Sequence, residues 1–393
     1  MLPENVKTTL REELENLRPD FVAMAKEMWD NPEHALREFK AANLICDTLA
    51  KAGFKVEKPV GGLETAFIAS HGDEDSPRVA LLAEYDATPG FGHACGHNLI
   101  ASTAVAAARA LAKMGHPGQL LVVGCPGEEG GGGKIFLTES GCFDGIDAAI
   151  YLHPFYLTRI GGRTAATINV ELKFTGRPAH AGRAPHTGIN ALAALTGTFT
   201  LLGLLNQQLP PDIRYNWVVS EGGRGTGIVP DIAAAKVGLR GSSHRQVESL
   251  FKHLENCAKG ASIATGAELE IKKGLSYMPR LTNPVIAKVM EDYLKEAGFE
   301  CDPMPEQEFG STDVGHVSMR VPTVEGYVQI CDRDIPNHTK GFEEAANSER
   351  GFEAMLKGAW ALACTALTLL TDASLVEGAW EKQREGVKAR ESE

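Results

Sequence analysis

Residues 78–98 read R-V-A-L-L-A-E-Y-D-A-T-P-G-F-G-H-A-C-G-H-N. The first seven form an apolar run of strand length, and Pro89, Gly90 and Gly92 mark a loop. Cys95 and His97 then stand where a helix begins. The pattern recurs twice: Gln119–Cys125 runs into a glycine-rich turn and a helix, and Ile146–Leu152 ends at His153. Apolar runs without polar alternation are buried on both faces. Alternating with helices, they predict a largely parallel α/β sheet. In such sheets ligands gather beyond the carboxyl ends of the strands, which is where these runs leave their polar residues.

Working outward, the pattern changes near Thr167, where Ile168, Val170, Leu172 and Phe174 alternate with polar residues, as in a strand with one face in water. A helix (Ile189–Leu209), strands (Arg214–Ser220, Asp231–Arg240), a helix (Arg245–Ala264) and a strand (Ala267–Lys273) follow. This β-α-β-β-α-β order predicts an open-faced α+β sandwich with both helices on one side. From Tyr277 the α/β character returns, with a helix at Pro284–Ala297, a strand at Val321–Ile330 and an apolar helix at Arg350–Thr371. The expected organisation is a catalytic domain built from residues 1–165 and 277–393, with 166–276 inserted as a second domain, since 393 residues exceed one ordinary core.

Composition bounds the function. With 43% apolar and 23% charged residues the chain reads as globular, and a net charge of -12 without a basic run argues against a nucleic-acid partner. Residues 1–20 are charged throughout and lack the apolar core of a signal peptide, and no apolar stretch is read as reaching membrane-spanning length. The eight scattered cysteines suit a reducing compartment, so the expected location is the cytoplasm and the expected partner a small molecule.

Four strand ends carry chemistry. Cys95 and His97 are good donors to a borderline-soft divalent ion, the alternative being a tight turn with a merely buried cysteine. C-P-G-E-E-G-G-G-G-K (125–134) sets Glu128 beside Glu129. It is not a P-loop, because Glu128 stands where glycine is required and Ile135 where Ser or Thr is; a solvated acidic turn is the competing reading. His153 and His338 each end or follow a strand. Donors delivered separately to one sheet edge point to a two-ion site of Cys95, His97, Glu129, His153 and His338, leaving Glu128 as a free carboxylate able to take and return a proton. Two divalent ions set against a thiolate, one carboxylate and a shared hydroxide leave about one positive charge, which would favour an anionic substrate.

These residues resemble the M20 metallopeptidase family, in its amidohydrolase branch with a cysteine ligand. The likeness rests on residues 83–98, P-G-E-E-G-G-G-G-K (126–134), L-H-P (152–154), G-R-P-A-H-A-G-R-A-P (176–185), G-S-T-D-V-G (310–315) and N-H-T-K-G-F (337–342). It implies a catalytic domain of zinc-peptidase type with an inserted lid and dimerisation domain. It also implies two divalent ions (Zn, Mn or Co) bridged by Cys95, one completed by His97 and His153, the other by Glu129 and His338. Glu128 becomes the general base and acid. His180 becomes the lid histidine that reaches a partner subunit's site in a homodimer, the bland reading being a turn-capping loop histidine. Asp86 is expected to orient a ligand imidazole, and Asp313 to line the pocket or cap the following helix. Arg224, Arg240 and Arg280 are candidates to clamp a substrate carboxylate. Gly227 falls in the region where the family commonly has a substrate-contacting asparagine.

The activity implied is hydrolysis of an N-acyl, N-aroyl or dipeptide amide. The alternatives are a related C–N hydrolysis such as deamination, a cysteine hydrolase with Cys95 as nucleophile and His97 as base, or a silent metal-binding homologue.

Overall fold

The computed structural model describes residues 1–74, 77–303 and 310–392, without the side chains of the last two of these. The chain forms two compact units, one from residues 1–163, 280–303 and 312–392, the other from 164–279 with 310–311.

The first unit is laid on a seven-stranded sheet. Its strands are β1 (Lys55–Glu57), β2 (Phe67–Gly72), β3 (Arg78–Glu84), β4 (Gln119–Cys125), β5 (Ala148–Phe155), β6 (Arg159–Ile160) and, after the second unit, β11 (Thr323–Gln329). They lie in the order β1-β2-β4-β3-β5-β11-β6. The central four, β4-β3-β5-β11, are parallel, as the continuous apolar runs predict, and β1, β2 and β6 attach antiparallel at the edges. From β3 the chain moves first to β4 on one side and then to β5 on the other. This switch opens a crevice at the carboxyl ends of the strands.

Both faces of the sheet are covered. Val79, Leu81, Leu120, Val122, Ile150 and Leu152 pack toward α1 (Glu4–Asp30), α3 (His97–Met114) and α10 (Glu349–Thr371). Ala80, Leu82, Leu121, Val123 and Tyr151 pack on the other face with Leu137 of α4 (Gly133–Glu139) and Val314 and Val317 of α8 (Val314–Arg320). Helix starts follow ordinary capping: Asn283 precedes Pro284 at α7 (Pro284–Glu296), Thr339 caps α9 (Lys340–Ala345), and Ser348 caps α10. The 23-residue α10 is apolar and long enough to cross a bilayer, contrary to the reading that no stretch reaches that length, but 89% of its apolar window is buried inside the protein. Helices α2 (Phe39–Lys51) and α11 (Ala373–Ser392) complete the unit.

The second unit reads β7 (Ala166–Thr175), α5 (Ala191–Leu204), β8 (Arg214–Glu221), β9 (Ile232–Gly241), α6 (His244–Thr265) and β10 (Glu268–Tyr277), the β-α-β-β-α-β order expected. Its antiparallel sheet runs β10-β7-β9-β8. Alternate residues Ile168, Val170, Leu172 and Phe174 enter a core with Leu195 of α5 and Leu250 and Leu254 of α6, while their neighbours stay exposed.

Glu38, at the start of α2, is fully buried; Leu36 N donates to its Oε1 at 2.7 Å and Thr65 Oγ1 to its Oε2 at 2.9 Å. Burial, and then the nearby Asp86 charge, raise its pKa from 4.5 to about 7. A carboxyl whose folded pKa lies above its unfolded value imposes no cost at acid pH, where both states are protonated. The cost grows as pH rises from about 4.5 and is complete above about 7. Relative to wild type, Glu38→Gln should therefore gain stability across that window, by up to about 3 kcal/mol, and hold it at higher pH. Urea unfolding at a series of pH values reads this, and a difference independent of pH would contradict it.

Candidate metal centre

Gly96 sits between Cys95 and His97 at the start of α3, with φ 77°, and a Cβ there would lie 2.4 Å from Pro154 Cγ. Only glycine gives this left-handed turn at such close approach, and the turn brings the thiol and the imidazole into one cluster. His153, near the end of β5, places Nε2 3.5 Å from Cys95 Sγ. His338 is held in the left-handed region (φ 63°), unusual for a non-glycine residue, and its amide donates to Ala94 O at 2.8 Å. The β11-to-α9 loop is thereby tied to the Cys95 loop.

Three donor groups result, each with its atoms within 4.8 Å of one another: Cys95, His97 and His153; Cys95, Glu129 and His338; and His97, Glu128 and Glu129. The first two share the Cys95 sulfur, so five side chains from four strand ends meet as two overlapping sites. Cys95, His97 and His153 are buried, whereas the His338 side chain is 49% exposed.

Hydrogen bonds select the donor nitrogens. His97 Nδ1 lies 3.0 Å from both Asp86 Oδ1 and Asp86 O, and His153 Nδ1 lies 2.7 Å from Pro154 O. A ring nitrogen donating to an oxygen leaves the other nitrogen as the ligand, so Nε2 of each histidine faces the cluster. His97 Nε2 is fully buried and has no hydrogen-bond partner, which fits a metal-binding nitrogen. The thiol, imidazole and carboxylate set suits Zn, Mn or Co. Asp86 does a second job, because its Oδ2 accepts from the Glu129 amide at 2.8 Å. Thr88 Oγ1 donates to Glu129 Oε1 at 2.9 Å, on the oxygen that His338 Nε2 approaches at 2.9 Å.

The electrostatics are those of a proton-loaded ligand set. Burial works against the Cys95 thiolate, but His97 and His153 outweigh it and bring its pKa down to about 5. Burial likewise opposes the Glu129 charge, and His338 and His97 overcome it, to about 2. Hydrogen bonds to Cys95 and Glu129 lift His338 to about 10. Glu128 goes the other way: burial, then Glu84 and Asp313, push its pKa well above the carboxylate range. It sits 4.0 Å from His97 Nε2.

Two residues not singled out in the sequence stand beneath the site. Lys134, fully buried in the first turn of α4, pairs with Glu84 Oε1 at 2.7 Å and Asp313 Oδ1 at 2.6 Å, and Glu84 Oε2 is 3.5 Å from His97 Nε2. The available signals were an ionisable residue ending an apolar strand and a lysine at a helix N-terminus, where the helix dipole opposes it. The charge count made from the metal ligands alone did not include them. Glu84, Asp86 and Asp313 add buried carboxylates around the donors, with Lys134 set against Glu84 and Asp313.

Other expected residues fall elsewhere. Asp313 occupies the N-cap position of α8 but makes no capping bond. Both its oxygens are taken by Lys134, from the amide and the ammonium, which corrects the capping expectation. Arg280 is 1% exposed, with its guanidinium turned to Gly162 O, the Tyr327 hydroxyl and Glu325, so it is an internal ion pair instead of a carboxylate clamp. In the second unit Arg224 is exposed and 3.5 Å from Asp231, and Arg240 approaches Ser311 Oγ at 3.4 Å. His180 accepts from the Gly182 and Arg183 amides, both at 3.2 Å, and Gly227 O accepts from the neighbouring Ala181 amide at 2.9 Å.

Comparison with known proteins places this arrangement. The model of peptidase family M20/M25/M40 matches residues 73–360. A mouse protein named Xaa-Arg dipeptidase is 34% identical over 396 aligned positions, covering 95% of this chain and 91% of that protein. One of the subunits of the Escherichia coli p-aminobenzoyl-glutamate hydrolase is 35% identical over 294 positions, covering 67% of this chain and 60% of that one. Among solved structures, a Bacillus subtilis dinuclear metal binding peptidase from the M20 family superposes with a TM-score of 0.69 at 19% identity, covering 91% of this chain and 99% of that one. That likeness speaks for the fold. The family model and the near full-length relative carry the conclusion: the chain belongs to peptidase family M20/M25/M40 and is a metal-dependent peptidase or amidohydrolase.

Proposed function

We propose that the chain is a two-metal amidohydrolase that cleaves the amide bond of an N-acyl amino acid, N-aroyl amino acid or dipeptide. The observation that carries this reading is the pair of three-donor clusters sharing Cys95, with Glu128 beside His97 and outside both. When bound, two divalent ions lower the pKa of water from 15.7 to about 7 and polarise the scissile carbonyl. Glu128 takes the proton of the attacking water and returns it to the leaving amine. Its partly buried, carboxylate-flanked setting raises its proton affinity above that of an ordinary carboxylate. Asp86 keeps His97 Nε2 and the Glu129 carboxylate in place. The names of the relatives cover both substrate types, a dipeptide in one and an N-aroyl amino acid in the other.

His180, by resemblance, stabilises the oxyanion of a partner subunit's site, which makes a homodimer part of the reading. Edge strand β8 supports the dimer: Trp217, Val218 and Val219 are exposed, and Trp217 stacks on Phe199 of α5 with centroids 4.2 Å apart. An unpaired strand edge rich in apolar side chains is stable in water chiefly when another chain covers it. All eight cysteines are free, which fits a reducing cytoplasm.

Elemental analysis of the reconstituted protein should find about two ions per chain. Glu128→Gln should retain them while turnover on a panel of N-acyl amino acids and dipeptides falls ~100- to 10,000-fold. Retained activity in the variant would remove Glu128 from the chemistry. Asp86→Asn, which exchanges an acceptor for a donor opposite His97 Nδ1 or the Glu129 amide, should weaken metal binding ~10- to 100-fold by chelator competition. His180→Ala should keep its metal and lose about 3 kcal/mol of transition-state stabilisation, read as kcat at saturating substrate. Val218→Lys with Val219→Glu should shift a dimer to monomer in light scattering, and a wild type already monomeric at working concentration would argue against the interface.

A further inference from the structure

Glu84, the last residue of β3, is 1% exposed, and its two oxygens have different surroundings. Oε1 faces the Lys134 ammonium at 2.7 Å. Lys134 is also engaged twice by Asp313, through Nζ at 2.6 Å and its own amide at 2.9 Å, so the lysine is fixed by two carboxylates from two other segments of the first unit. Glu84 Oε2 has no hydrogen-bond partner and faces His97 Nε2 at 3.5 Å, which has none either. With Nδ1 committed to Asp86, Nε2 is the nitrogen left facing Glu84, and the approach is favourable only when positive charge, a proton or an ion, lies between them. Two donors on one ion at about 2.0–2.2 Å and a tetrahedral angle stand roughly 3.3–3.6 Å apart, which is the spacing found. Glu84 belongs to none of the three-donor clusters, and the cluster atom it is placed against is His97 Nε2.

We propose that Glu84 is a further carboxylate of the metal centre, aimed at the ion position on His97 by the Lys134–Asp313 clamp, and that it sets how tightly that ion is held. The inference rests on the two-metal reading and deepens it. A purely structural ion pair explains the arrangement less well. Asp313 already neutralises Lys134 through one oxygen and accepts from its amide with the other, whereas a second buried carboxylate adds desolvation cost, and neither Glu84 oxygen has a hydrogen bond, Oε1 having only the Lys134 charge beside it. The extra cost is offset if the free oxygen meets a cation. Lys134 and Asp313 are then positioning residues: the lysine holds one Glu84 oxygen, and through the fixed side chain directs the other toward His97.

The test is per-site metal affinity of the full chain, measured by chelator competition with Zn and by the absorption spectrum of the Co form. Glu84→Gln, close to isosteric, should weaken one ion ~10- to 100-fold and leave the other unchanged. The thiolate-to-Co charge-transfer band from Cys95 should persist while the ligand-field bands of one ion change. Asp313→Asn should weaken the same ion by a smaller factor. Both ions bound by Glu84→Gln as in wild type would overturn the inference and leave the two-metal reading standing. So would a variant whose ion-free form melts lower while the affinities of its folded fraction are unaltered, since that is the behaviour of a structural pair. A wild type that binds no ion would remove the two-metal reading and the inference together.

Discussion

Asp86 divides its carboxylate between two loops, one oxygen to the His97 ring and the other to the Glu129 amide. The loop after β3 carries the thiol and one imidazole, and the loop after β4 carries both adjacent glutamates. Nothing in the sheet itself fixes how far apart these loops stand. A parallel sheet sets its strands about 4.8 Å apart but leaves the loops beyond them free to splay. One carboxylate accepting from both sets the separation, and His338 adds the third connection through its amide to Ala94 O. The left-handed backbone at His338 is the local cost of that connection, of order 1 kcal/mol, and it persists because the donors around it over-determine the position.

The same site concentrates buried acid. Glu84, Asp86 and Asp313 are at most 1% exposed, Glu128 and Glu129 are partly buried beside them, and the nearby fixed cation is Lys134. Such a set is unfavourable as carboxylates alone, and it raises the proton affinity of His97, His338 and Glu128 within it. Divalent ions replace those protons with larger charges at shorter distance. Metal binding at such a ligand set would be coupled to proton release and to folding. Opposite shifts in neighbours are informative in this setting: Glu129 is driven to about 2 by its histidine contacts while Glu128 is pushed up by burial and like charge. Two adjacent glutamates with opposed acidities suit one for holding a cation and the other for carrying a proton.

Much of this is legible in the sequence, and the reason is periodicity. Continuous apolar runs ending in Cys, Glu or His identify parallel strands and their carboxyl ends at once, so the donor-bearing edge follows from residues 78–155 without knowledge of any contact. Alternation over 167–175 separates the second unit as cleanly. What stays hidden depends on pairing across long separations. The antiparallel attachment of β1, β2 and β6 is decided by neighbours tens to hundreds of residues away, and α8 and α9 are too short to show a helical period. Arg280 reads as a surface clamp because an arginine's burial cannot be seen without its partners Glu325 and Tyr327. Lys134 is masked by the glycine run before it, which looks like a loop and conceals a first helical turn.

Gly227 shows how a departure from a family pattern changes meaning once the backbone is known. A missing asparagine side chain suggests a lost substrate contact, yet the carbonyl of Gly227 accepts from the Ala181 amide and Ile228 pairs with His180. The backbone of this loop holds the histidine loop, and any residue with the same φ and ψ could supply that bond. Glycine at 227 has nothing within 4 Å of a notional Cβ, so space alone does not demand it. The position is open to a side chain that glycine does not supply. Within the second unit Arg224 and Arg240 remain as charged candidates. The Arg224 guanidinium is exposed and meets Asp231 only at the hydrogen-bond limit of 3.5 Å. A contact that long holds the guanidinium weakly, whereas Arg280 is buried and engaged by Gly162 O and the Tyr327 hydroxyl.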